Sequence, residues 1–246
     1  MKILGVIPAR FASTRFPGKP LTEILGKSMI RRVFEQASRC QFLEEVVVAT
    51  DDERISDHVS SFGGNVVMTS PDHRSGTERC YEASAKLDGH FDVVINIQGD
   101  EPFIDPHQIE QLAACFKQPE IRIATLVKRI INHEDLENPN VVKVTFDKKM
   151  KAICFSRSPI PYYRGKPVSS WPESFDYFKH IGIYGYRSEV LMQLVRLQES
   201  KLEKAESLEQ LRWIWNGYQV HVRETEFESI AIDTPADLLK ITNISG

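Results

Sequence analysis

Three cations crowd the start of the chain: Arg10, Arg15 and Lys19, with Ser13, Thr14 and Gly18 between them and no acidic residue within 1–22. Backbone N–H groups in such a loop cradle phosphate oxygens, and cations neutralise them. The alternative is a solvated basic loop. The preceding run Lys2–Ile7 reads as a buried first strand. In an open α/β sheet, ligands bind beyond the carboxyl ends of the strands, which is where this loop falls. Two phosphate motifs fail. Gly26-Lys27-Ser28 resembles the end of a P-loop, but Leu21 stands where that motif needs glycine. A dinucleotide fingerprint needs three glycines at the first turn, and Pro8-Ala9-Arg10 follows here instead.

Asp100, in Gln98-Gly99-Asp100-Glu101-Pro102, follows the apolar run Val93–Ile97. A carboxylate at a strand's carboxyl end suits Mg²⁺, which takes hard oxygen ligands and shares them with substrate phosphates. Gly-Asp and Pro are also turn formers, so a simple turn stands beside that reading. Asp233 divides the same way, between helix N-cap and metal ligand. Ser75 and Glu78 have capping-box spacing at the head of a helix. His180, Gly182, Tyr184 and Tyr186 alternate, so one strand face carries them all. That face lines a sugar site or forms a hydrogen-bonded edge of the core. Glu209 and Gln210 sit in a helix with Leu208, Leu211 and Trp215 and read as its solvated face. The seven histidines show no metal-ligand spacing and no Gly-x-Ser-x-Gly elbow occurs, which disfavours zinc enzymes and hydrolases.

The elements that must position these residues alternate through the first half. Strands are predicted at Glu45–Ala49, Asn65–Met68, Val93–Ile97 and 121–128. Helices are predicted at Met29–Ser38, around Ile55, Val59 and Phe62, at 75–87 and at Pro106–Phe116. Residues 8–28 read as one long loop. This pattern predicts an α/β fold with a mainly parallel sheet and helices on both faces. After about residue 128, Val141–Phe146 and Ala152–Phe155 predict an antiparallel hairpin and 157–178 an irregular connection. A strand at His180–Tyr186, helices near 188–198 and 205–216, a strand at Gln219–Arg223 and a last helix opened by Asp233-Thr234-Pro235 follow.

The chain has 246 residues, a formal charge of −3, 41% hydrophobic and 26% charged residues. This fits one large soluble domain, here taken as 1–246, and excludes disordered, collagen-like and coiled-coil chains. The absence of a basic excess disfavours nucleic-acid binding. Cys40, Cys80, Cys115 and Cys154 are scattered, which argues against structural zinc and for reduced core thiols. The apolar run from Ile3 stops at Pro8, too short for a signal segment. No run approaches about 18 apolar residues, so no membrane span is expected, and the location is read as cytoplasmic.

Taken together, the motifs resemble one family. The loop Pro8-Ala9-Arg10-Phe11-Ala12-Ser13-Thr14-Arg15-Phe16-Pro17-Gly18-Lys19-Pro20-Leu21 is similar to the signature loop of the CMP-Kdo synthetases, or 3-deoxy-manno-octulosonate (Kdo) cytidylyltransferases. Ala49-Thr50-Asp51, Ser75-Gly76-Thr77-Glu78-Arg79, the segment from Asn96 to Pro102, Asn138 to Lys143, Phe155-Ser156-Arg157, His180 to Tyr186, Glu209 to Arg212 and Asp233-Thr234-Pro235 follow in family order. The resemblance implies a Rossmann-like nucleotidyltransferase fold with a smaller antiparallel lobe at about 129–187 for sugar binding and dimer contact. It implies a homodimer that converts CTP and Kdo to CMP-Kdo and pyrophosphate with Mg²⁺, for lipopolysaccharide synthesis. Lys19, Arg10 and Asp100 would be catalytic. Pro8, Ala9, Arg10, Ser13, Arg15, Lys19, Arg74, Ser75 and Gly76 would bind the nucleotide. Gln98, Arg157, His180, Tyr184, Glu209 and Gln210 would bind the sugar, and Asp100 and Asp233 the metal. Alternatives are a cytidylyltransferase for sialic acid or 8-amino-Kdo, and a non-catalytic nucleotide-binding module.

Overall fold

The computed structural model describes residues 1–12, 16–228, 231–232 and 234–238. Its first half contains β1 (Ile3–Ala9), β2 (Glu23–Ile24), β3 (Lys27–Ser28), α1 (Met29–Ala37), β4 (Glu45–Thr50), α2 (Glu53–Ser61), β5 (Asn65–Met68), α3 (Gly76–Lys86), β6 (Val93–Asn96), α4 (Pro106–Cys115) and β7 (Ile123–Ile130). The second half adds α5 (His133–Glu137), β8 (Lys143–Phe146), β9 (Ala152–Ser156), α6 (Trp171–Ser174), β10 (Tyr177–Arg187), α7 (Ser188–Leu194), α8 (Lys201–Glu206), α9 (Gln210–Trp215) and β11 (His221–Glu224).

The main sheet runs β11-β7-β10-β6-β1-β4-β5, with β8 and β9 attached through β10. β6, β1, β4 and β5 are parallel, while β10 lies antiparallel to both β6 and β7. The period of two in β1 explains why its sequence is apolar nearly throughout. Ile3 and Ile7 enter one core with α1, α2 and α4, and Leu4 and Val6 enter the other with α3, α7 and α9. The architecture is the α/β sheet with helices on both faces that the alternation predicts, with the Rossmann-like form that the resemblance implies and with β10 inserted antiparallel.

Parallel pairing brings the carboxyl ends of β1, β4 and β6 to one edge of the sheet. The loops bearing Arg10, Asp51 and Gln98 therefore start there. Tyr184 pairs with Asn96, so the antiparallel β10 carries Gly182 and His180 onward past the end of β6. Opposite β7 the register of β10 shifts between Ile181 and Tyr184. The Thr125 hydroxyl sits inside that irregularity, 2.7 Å from the Ile183 carbonyl and 3.0 Å from His180 Nε2.

Four local expectations are corrected. Residues 8–28 contain a 3-10 turn at Lys19–Leu21 and the small β2–β3 hairpin, closed through Leu25 and Gly26, both at positive φ. The connection 157–178 contains a second 3-10 turn and α6. The helix predicted at 205–216 is two helices, α8 and α9, because Ser207 between them adopts φ 52° and breaks the hydrogen-bond ladder. Only half of the capping box forms. Ser75 Oγ accepts from the Glu78 N–H, but the Glu78 carboxylate takes the Arg74 N–H instead of that of Ser75.

Candidate active site

The nucleotide side of the site grows from the end of β1. A Cβ on Gly99 would lie 2.7 Å from the Pro8 carbonyl oxygen, and one on Gly76 3.3 Å from Pro8 Cγ. The loop after β6 and the head of α3 close on Pro8 because neither presents a side chain there. Ala9 is buried beside them, and the exposed Arg10 donates to the His73 carbonyl. Ser75 caps α3, and Arg74 precedes it on the surface. Lys19 follows Gly18, whose φ of 71° turns the chain into the 3-10 turn. Its ammonium lies 2.8 Å from Asp100 Oδ2. Ser13 and Arg15 lie outside the described residues.

A cleft of about 380 Å³ opens next to Asp100, and Gln98, His180, Tyr184, Glu209 and Gln210 all line it. The remaining predicted sugar residue, Arg157, is not among its lining. The Arg157 guanidinium donates to the carbonyls of Glu206, Pro139 and Ser207 at 2.6, 2.9 and 3.4 Å. Ser207 borders the cleft, so Arg157 reaches the edge of the site through that carbonyl.

Glu209 is not the solvated helix face that its spacing suggests. Its two carboxylate oxygens accept from the Ser75 and Thr77 hydroxyls at 3.0 and 2.9 Å, joining the head of α3 to that of α9. Burial pushes its pKa up, against the lowering effect of those hydrogen bonds. Burial also pulls His180 down to about 3, so its imidazole is neutral near pH 7. The Thr125 hydroxyl has one proton. If it donates to the Ile183 carbonyl, it accepts from His180 Nε2–H, and Nδ1 is the unprotonated ring nitrogen. Trp213 Nε1 and Asn96 Oδ1 are enclosed without a hydrogen-bond partner, and both residues border the cleft. An enclosed polar atom left unpaired costs about 1–3 kcal/mol. A polyhydroxylated ligand has the donors and acceptors to relieve that cost.

Asp100 also fits an ion shared with substrate phosphates. Mg²⁺ is commonly held by about one or two carboxylates, with phosphates and water completing its shell. Among the described residues no group of three or more His, Cys, Asp and Glu is placed to hold a metal by itself. Asp233, the second expected ligand, lies outside the described residues. Its neighbour Ile232 is fastened to this loop, with its N–H 2.9 Å from the Asp100 carbonyl oxygen.

The sequence pattern of the cytidylyltransferase family matches residues 4–230. The chain belongs to the cytidylyltransferase family. The enzyme is 54% identical to the 3-deoxy-manno-octulosonate cytidylyltransferase of Parabacteroides distasonis over 98% of its own length and 96% of that protein's. It is 55% identical to the Bacteroides thetaiotaomicron protein of the same name, over 97% and 96%. A solved CMP:2-keto-3-deoxy-manno-octonic acid synthetase in complex with CTP superposes with a TM-score of 0.92 at 42% identity, over 100% of this chain and 98% of that one. The 4-diphosphocytidyl-2C-methyl-D-erythritol synthase of Anaerococcus prevotii, at 14% identity and a TM-score of 0.64, shares the fold over 99% and 98% of the two chains. No helix among the enzyme's described residues is long and apolar enough to cross a membrane.

Sequence reasoning missed Thr77, Asn96 and Trp213 as parts of this site. Each carried a usable signal. Asn96 stands two residues before Gln98, on the same side of an extended chain. Trp213 stands four after Glu209, one helical turn along. Thr77 follows the Ser75-Gly76 pair directly.

Proposed function

We propose that this enzyme transfers CMP from CTP to the anomeric hydroxyl of Kdo, releasing pyrophosphate. The reading is carried by the near full-length identity to Kdo cytidylyltransferases, and the two-sided site around Asp100 gives it a chemical basis. The sugar hydroxyl attacks the α-phosphorus of CTP in line with the departing pyrophosphate, a reaction governed by positioning and charge stabilisation. Arg10, Arg15 and Lys19 hold the triphosphate, and Lys19 and Arg10 stabilise the charge that builds on pyrophosphate. Pro8, Ala9, Ser13, Arg74, Ser75 and Gly76 contact the nucleotide. Gln98, His180, Tyr184, Glu209 and Gln210 hold the sugar. Neutral His180 serves as a hydrogen-bonding wall, since a group titrating at about 3 takes up no proton near pH 7. Arg157 is assigned to the sugar carboxylate, with its cation beside Ser207. Asp100 and Asp233 would hold Mg²⁺, which when bound would supply charge neutralisation at the phosphates.

The product serves lipopolysaccharide synthesis in the cytoplasm, and the enzyme acts as a homodimer. The lobe at 129–187 is the dimer-forming part in this reading. Supporting that, Ile131, Ile153 and Tyr162 leave large apolar side chains exposed there.

The test is pyrophosphate release from CTP and Mg²⁺ with and without Kdo. Release that depends on all three is expected. Release with sialic acid or 8-amino-Kdo but not Kdo would move the substrate. Tight CTP binding with no release for any sugar would make the protein a nucleotide-binding module.

A further inference from the structure

The motif Ala49-Thr50-Asp51 ends at a corner that no part of the reaction yet uses. Asp52 follows it, caps α2 and fixes Arg54 on both sides of its carboxylate, with Arg54 Nε 2.9 Å from Oδ1 and Nη2 2.6 Å from Oδ2. The Arg54 guanidinium carbon lies 3.3 Å from the centroid of the Phe11 ring. The same ring meets Gly18, where an added Cβ would lie 3.3 Å from Phe11 Cζ, and the Gly18 N–H donates to the Phe11 carbonyl at 3.0 Å. Phe11 and Gly18 are the immediate chain neighbours of Arg10 and Lys19.

We infer that Arg54, fixed by Asp52 and stacked on Phe11, is a positioning residue that clamps the base of the phosphate loop and holds Arg10 and Lys19 ready for the CTP triphosphate. The physical reason is entropic. A loop already fixed at both ends loses less freedom on binding than one that must be ordered by the ligand. Phe11 is suited to this because a planar ring presents one face to a cation while its edge packs on a residue without a side chain. Arg54 is itself exposed, while Phe11 packs at the margin of the core that α1, α2 and α4 share, which anchors the ring that Arg54 covers.

The inference rests on the reading of this loop as the triphosphate site, and the test separates the two. CTP binding in the presence of Mg²⁺ is measured by titration calorimetry on the full chain, alongside turnover with CTP and Kdo. Arg54→Ala is expected to weaken CTP binding about two- to fivefold, the size of an exposed cation–π contact, while the KM for Kdo holds. Asp52→Asn keeps a side chain that caps α2 but releases the guanidinium. It also makes the surroundings more positive. A clamp therefore predicts weaker CTP binding in Asp52→Asn, whereas simple attraction of Arg54 for the triphosphate predicts tighter binding. Phe11→Leu is expected to weaken CTP binding and to make the further change Arg54→Ala silent.

Unchanged or tighter binding by Asp52→Asn overturns the clamp. So does a full additional loss from Arg54→Ala on the Phe11→Leu background. If the unsubstituted protein binds no CTP, the triphosphate reading falls and the clamp with it. If that protein binds and turns over CTP normally and the variants match it, the clamp alone falls.

Discussion

Lys19 and Asp100 make an ion pair whose side chains are only 14% and 27% exposed, at the junction of the two halves of the site. One is the cation assigned to the departing pyrophosphate, and the other is the carboxylate assigned to the metal. Removing one preorganised charge stabiliser typically lowers turnover about 10²–10³-fold. Lys19→Ala and Asp100→Ala are each expected to fall at least that far in kcat, measured by pyrophosphate release, with the thermal midpoint little changed. Folded variants with near-normal turnover would remove these two assignments. Both residues stood out in the sequence, Lys19 through the cluster of cations and Asp100 through its place after an apolar strand. Their contact did not, because eighty-one positions separate them in the chain.

Glu203 shows how an element is held in place for the site. It completes a capping box with Ser200 at the head of α8 and receives two bonds from Arg212 of α9, at 2.7 and 2.6 Å. Both side chains are about one-tenth exposed. The pair fixes α9 against α8 and so sets where Glu209 and Gln210 meet the cleft. Glu203→Ala leaves the Arg212 cation without its partner and opens the cap. A loss of about 3 kcal/mol in unfolding free energy is expected, in line with breaking a covered ion pair, and a urea unfolding curve checks it. A loss within about 0.5 kcal/mol would show that α9 is held by its apolar face alone. The helix predicted at 205–216 runs straight through Ser207. The turn at Ser207 escaped because serine carries no marker for positive φ, unlike glycine.

At the scale of the whole molecule, two histidines, His180 and His221, make the fold sensitive to mild acid. His180 titrates near 3 in the folded chain and near 6.5 when unfolded, and burial lowers His221 in the same direction. Between those values the unfolded chain binds more protons, so stability falls as pH drops below 6.5. For His180 alone the loss at pH 5 is about 2 kcal/mol. Urea midpoints measured at pH 7 and pH 5 are expected to separate, and His180→Gln is expected to narrow the gap. An unchanged gap in that variant would place the sensitivity elsewhere.

The order of strands and helices in the first half was legible in the sequence because each element must bury a face, and that requirement writes a period of 2 or 3.6 into the chain. The cation loop and the alternating face of β10 were legible for the same reason, as residue types at fixed local spacing. Only the tertiary structure could decide which way Glu209 faces. Its helix spacing reads as solvated, yet Ser75 and Thr77, more than 130 positions away, take both of its oxygens. It also turned Arg157 onto backbone carbonyls and set Arg54 on Phe11. Such contacts depend on which loops a sheet brings to one edge. Strand order fixes that, and no local period along the chain records it.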